Sequence, residues 1–171
     1  MSEILKHTFR LLLLLFFQVT VFNHIGLHGV LNPFIYVFFI IMLPLSTPAG
    51  LLMFIAFASG WLVDIFSNTG GMHAFASTLV AFVRPFWVTT TIPRTAYDDL
   101  QNISFRDVEF GQFLTYSTFL ILVHQLALYS IEALTITAFF SILLKAVLGT
   151  LITSLLVIGL RYIDIRPRKT T

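Results

Sequence analysis

The chain has 171 residues, 57% of them hydrophobic and 11% charged, with mean hydropathy +0.92 and a formal net charge of +2. An average soluble domain is about 25% charged, and this much apolar surface exceeds what one aqueous core can hide, so composition points to an integral membrane protein. The chain has no cysteine, which excludes a disulfide framework or thiolate metal site, and the absence of a separate basic face argues against nucleic-acid binding.

The apolar runs are continuous and do not alternate, so they read as helices rather than porin-like strands. Lys6 and Arg10 precede Leu11 to Phe17 in the manner of a signal peptide. No small-residue cleavage site follows, so the reading is an uncleaved first span over about 9–27. Asn32-Pro33 then opens a second segment, with Asn as N-cap and Pro at the first helical position. This segment, about 30–45, is short for a crossing of roughly twenty residues. Pro44 and Thr47-Pro48 break it, and a third segment runs over 48–67.

The stretch from Ser59 to His73 organises the middle of the chain. An apolar helix runs into one carboxylate, Asp64, stops at Asn68-Thr69-Gly70-Gly71, and a second apolar helix begins. The glycines permit a tight reversal, and Asn68 and Thr69 satisfy loose helix-end groups. Two helices joined this closely are antiparallel neighbours. A carboxylate so near the end of a membrane helix needs either a partner or wet surroundings.

The fourth segment, 72–91, contains Arg84-Pro85, and Ile92-Pro93 ends it. A hydrophilic loop over 92–111 follows, in which Ser104 to Asp107 has the form of a capping box that starts the fifth helix, 105–131. The sixth runs over 135–162. The sum is one membrane domain over 1–171, an all-α polytopic protein with six transmembrane helices. Six spans put both termini and the 92–111 loop on one side, with Lys6, Arg10, Arg94, Arg106, Arg161, Arg166, Arg168 and Lys169. The opposite loops carry neither lysine nor arginine, so both termini face the cytoplasm.

Several polar groups fall inside the apolar slab. Ser141, Lys145 and Gly149 form a small polar stripe on the sixth helix that hides the ammonium from lipid, or else the lysine snorkels without a fixed partner. Thr118, Gln125 and Glu132 recur every seven residues on the fifth helix beside His124, as helix glue or as a transport path. Arg84 shares a face with His73 and is expected to snorkel toward the cytoplasmic end, with Pro85 bending the helix. Counting helical rise places Asp64 about 6 Å and the Lys145 ammonium about 9 Å below one surface, so a buried Asp64–Lys145 pair is a candidate, with Glu132 competing for the lysine. His24 and His28 have metal-site spacing but no third ligand nearby. No nucleophile elbow, phosphate loop or clustered carboxylate set is present, so neither catalysis, a metal nor a cofactor is expected.

The stretch Asn32 to Pro93 resembles the MreD family of rod-shape-determining inner-membrane proteins. The resemblance rests on Asn32-Pro33-Phe34, the Pro44 to Pro48 break, Gly60-Trp61-Leu62-Val63-Asp64-Ile65-Phe66-Ser67 and Gly71-Met72-His73-Ala74. It covers about sixty residues, and the Gly70 to His73 turn and Arg84-Pro85 depart from some relatives. It implies a non-enzymatic elongasome scaffold in the bacterial inner membrane, whose bundle is similar to the substrate-binding subunits of energy-coupling-factor vitamin transporters. The implied partners are an MreC-like single-span protein and, through it, peptidoglycan synthases and the MreB-like filament. Ala56-x-x-x-Gly60 offers a small-residue surface for a partner helix or a second copy, and Asp64, Gly71, His73, Gln125, Glu132 and Lys145 complete the candidate set. The rival is a vitamin-type transport subunit with a polar, partly aromatic cavity around Asp64, His73 and Glu132.

Overall fold

The computed structural model describes residues 3–24, 32–91, 108–133 and 139–164, and these residues form helices and connecting turns with no strand. In chain order they are α1 (Glu3–Phe17), continued by a π-helical turn over Gln18–Phe22, then α2 (Val37–Ile41), α3 (Ala49–Ser67), α4 (Met72–Thr91), α5 (Phe110–Ala133) and α6 (Phe139–Asp164). Packing follows the chain: α3 lies on α4, α4 on α5 and α5 on α6, with α2 touching α1, α3, α4 and α5.

Three of these helices, α3, α5 and α6, are long and apolar enough to cross a membrane. Their outward faces carry large apolar side chains, among them Phe54 at 69% exposure, Phe140 at 84% and Leu155 at 71%. Facing inward and buried are Gln18, Asp64, His73, Ser77, Arg84, His124, Gln125 and Thr153. A soluble fold distributes these classes the other way round, and only a hydrocarbon solvent makes such an exterior comfortable. The arrangement is compatible with a membrane protein.

The second segment differs most from the sequence expectation. Of the expected helix over 30–45, the described residues 32–45 contain five helical residues, about 7.5 Å of rise against a hydrocarbon core of about 30 Å. Asn32-Pro33 does not start it, because residues 32–34 are irregular and the first turn closes through Val37 N–H to Phe34 O at 3.4 Å and Phe38 N–H to Ile35 O at 3.0 Å. Tyr36, Val37, Ile40 and Ile41 are fully buried, so α2 plugs the interior of the bundle and does not face lipid.

The α3–α4 hairpin follows expectation closely. Pro48 precedes α3, and Asn68 ends it in the left-handed conformation at φ 54°, returning its N–H to Asp64 O. Gly71 at φ 96° then carries the chain into α4. The small-residue stripe is not an open surface. Ala56 and Gly60 are buried against α4, and a β-carbon built on Gly60 would sit 2.4 Å from His73 O and 2.7 Å from Ala74 Cα. Gly60 therefore sets the spacing of this chain's own helices. α4 runs through Pro85 as one helix. The expected capping box at 104–107, most of the 92–111 loop, His28, and the basic residues Arg94, Arg106, Arg166, Arg168 and Lys169 lie outside the described residues.

Candidate functional site

Asp64 stands one helical turn beyond Gly60, where the two helices approach most closely. Its Oδ1 accepts the His73 N–H at 3.0 Å and the Thr69 hydroxyl at 2.5 Å, and Oδ2 accepts the Ala74 N–H at 2.8 Å. Those amides belong to the first turn of α4, whose N–H groups have no acceptor within their own helix. A carboxylate there also meets the positive end of the helix dipole. Asp64 thus caps α4 from the neighbouring helix, which explains how it is tolerated at 4% exposure. Glycine for approach and aspartate one turn later for capping act as one clamp.

The expected Asp64–Lys145 pair does not form. Asp64 uses its acceptor capacity on α4 and Thr69, and α3 packs chiefly on α4. The Lys145 ammonium instead lies 5.8 Å from the centroid of the Tyr129 ring, within cation–π reach. Truncating Asp64 to Ala leaves two buried amides unpaired and is expected to cost about 2 kcal/mol, the upper end for a lost cap. Asp64→Asn keeps an acceptor and should cost less than half as much. Unfolding titrations of both variants in one detergent check this, and equal losses would argue for charge in place of capping.

Beneath the clamp lies a buried aromatic cluster. Tyr36 Oη is 2.7 Å from His124 Nε2, 3.0 Å from Ser77 Oγ and 3.3 Å from His73 Nδ1. The Phe34 ring lies edge-on to His73, at 5.1 Å between centroids. Tyr36 was missed by sequence reasoning, although it is the single polar side chain in the run Phe34 to Leu43. A lone hydroxyl in an apolar run signals a required partner, because buried polar groups are hydrogen-bonded. Gln18 carries the same signal in the first segment. It donates to Pro33 O at 3.2 Å and Asn23 Oδ1 at 3.0 Å, and Asn23 Nδ2 donates to Ser67 Oγ at 2.7 Å.

Of the heptad row on α5, Gln125 is fully buried, Thr118 half-buried and Glu132 exposed. Gln125 Nε2 donates to Thr153 Oγ1 at 3.2 Å, and its side chain lies over Gly149, where an added β-carbon would meet it at 3.1 Å. Thr153 also accepts the Phe34 N–H at 3.3 Å, so one hydroxyl joins α5, α6 and the approach to α2. Gly149 makes room for Gln125, while Ser141 is exposed and lines a small recess with Lys145.

Arg84 does not snorkel. At 2% exposure, it donates through Nε to Tyr116 Oη at 2.7 Å and through one terminal nitrogen to the Leu43 and Ile41 carbonyls. Tyr116 in turn donates to Ile41 O at 3.3 Å. The α2 C-terminal carbonyls, which lack helical partners, are thereby satisfied from α4 and α5.

The rest of the candidate set meets at the end of the bundle where α3 stops and α4 starts. A cavity of about 410 Å3 opens there, and Phe34, Ser67, Thr69, His73, Glu132 and Lys145 contribute to its wall. Gly71 lies at its edge in sequence, with its position for a β-carbon 3.7 Å from the Trp61 ring. Asp64 stays behind the wall, held by Thr69. Among the described residues no group of three histidine, aspartate or glutamate side chains is placed to hold a metal. Comparison of the chain with protein-family models, with curated proteins and with solved structures finds no match.

Proposed function

We propose that this protein is a non-catalytic scaffold of a bacterial inner membrane, with the part in lateral wall synthesis that its MreD-like stretch implies. One observation carries the reading: three costly buried polar side chains, Asp64, Arg84 and Gln125, are turned on this chain itself. Asp64 caps α4, Arg84 ties α2 to α4 and α5, and Gln125 locks α5 to α6. Such groups make a rigid body whose apolar outside is left for helices of other proteins. The resemblance between Asn32 and Pro93 adds the partner, a single-span MreC-like protein, and through it the peptidoglycan synthases and the MreB-like filament. It also adds the similarity to energy-coupling-factor binding subunits. Cytoplasmic termini are supported by the lysine and arginine distribution, provided the second pass falls to the buried segment around α2 and not to a membrane-spanning helix. That segment's Phe34 lies by His73, and its Leu43 accepts from Arg84.

A second reading, a membrane subunit that binds a small vitamin-type molecule, is favoured by the cavity beside His73 and Glu132. Affinity purification after mild solubilisation separates the two. Recovery of a single-span wall-synthesis protein supports the scaffold, and recovery of an ATPase module with a bound vitamin overturns it. Reporter fusions at Thr171 and Gln101 should both read cytoplasmic, and a periplasmic signal from either overturns the layout.

A further inference from the structure

The polar cavity has a neighbour with which it shares a wall. Between α1 and α3 lies a second recess of about 290 Å3, bounded by Leu12, Leu15, Phe16 and Leu62. Val19 and Phe66 line both spaces. The two spaces therefore adjoin, one polar and the other apolar along the helices, with the π-helical turn Gln18–Phe22 beside their shared wall. The polar end holds Lys145 and, at its rim, the exposed Glu132. Among the described residues no carboxylate lies within ion-pair distance of the Lys145 ammonium, whose contact is the face of Tyr129 at 5.8 Å.

We infer that the two adjoining recesses together bind one membrane phospholipid, its headgroup phosphate on Lys145 and an acyl chain between α1 and α3. Three observations converge on that occupant. The apolar limb fits a hydrocarbon chain and gives nothing to a water-soluble anion. The half-buried cation calls for an anion, and an anionic oxygen accepts the strong, charge-assisted bonds that an ammonium donates. The apolar recess opens between α1 and α3, helices whose outer faces carry large apolar side chains, so a ligand reaches it sideways. This inference does not depend on which protein partner the scaffold holds.

The test is native mass spectrometry of the whole purified chain in detergent, titrated with dioleoyl phosphatidylglycerol and, in parallel, with glycerol 3-phosphate. A saturable one-to-one lipid adduct is expected, with no adduct of glycerol 3-phosphate. Lys145→Gln should weaken the lipid adduct about tenfold, the usual size of a lost hydrogen bond to a charged group, and Lys145→Arg should retain most of it. Val19→Trp, which fills the junction, should weaken it without lowering the thermal midpoint. Leu155→Ala, on the outer face of α6, should leave it unchanged. Equal lipid affinity in the wild type, Lys145→Gln and Val19→Trp overturns the site, and glycerol 3-phosphate binding as tightly as the lipid overturns the acyl limb.

Discussion

Gly60→Ala is expected to destabilise the protein by about 3 kcal/mol, the upper end of the usual cost of overpacking. The added methyl group would lie 2.4 Å from His73 O, 2.6 Å from its carbonyl carbon and 2.7 Å from Ala74 Cα. All three are backbone atoms, so no rotamer change relieves the overlap and α4 must move away from α3. That movement also draws the His73 and Ala74 amides off Asp64, coupling a steric cost to a hydrogen-bonding one. Gly50 is the control, since nothing lies within 4 Å of its β-carbon position in the same helix. Gly50→Ala should be neutral or gain up to about 1 kcal/mol from helix propensity. Denaturant titration in detergent decides, and equal stability of the two variants would remove the close approach from the account.

Arg84→Met is expected to cost about 2–4 kcal/mol, from orphaned acceptors that each cost about 1–3 kcal/mol when buried. Leu43 O loses its donor, Tyr116 Oη loses the guanidinium, and Ile41 O keeps the tyrosine alone. Relief from burying a cation works in the opposite direction, which holds the estimate below the sum of the separate bonds. Arg84→Lys keeps the charge but not the fork that reaches a hydroxyl and carbonyls together, so it should fall between methionine and wild type. Tyr116→Phe should cost about 1 kcal/mol, the price of one ordinary hydrogen bond. Unfolding midpoints rank the series, and a methionine variant as stable as wild type would show that α2 holds without its tie.

What could be read in the sequence was what is specified locally. The α3–α4 hairpin emerges within a residue of expectation, because Pro48, Asn68 and the two glycines act on the chain next to them. The second segment was misread for a definite reason. Hydropathy reports the desire to leave water, and Phe34 to Leu43 satisfies it equally in lipid or inside protein. Arg84 and Lys145 failed in a related way. Depth along a helix axis says how far a charge lies from the interface, but not which helix stands opposite. The acceptors of Arg84 lie 32, 41 and 43 residues away, and Thr153, which accepts the Phe34 N–H, lies 119 residues from it, beyond any local pattern. The signals that were present and unused were Tyr36, the single polar side chain between Phe34 and Leu43, and Gln18, the first polar side chain after the run Leu11 to Phe17.

The Gly60–Asp64 clamp also has a consequence in time. Everything it joins lies between Ala56 and Ala74, so the α3–α4 pair can close as soon as both helices have left the ribosome, before later helices exist. The tie at Arg84 cannot close fully so early. Its acceptors come from Ile41 and Leu43, made earlier, and from Tyr116, made later. Residues around α2 can therefore settle on the hairpin through Arg84, His73 and Ser77 as soon as α4 exists, but they lack Tyr116 and His124 until α5 arrives. The site around α2 is thus completed in two stages, and a truncation after Thr91 should yield a closed hairpin with α2 held by α4 alone.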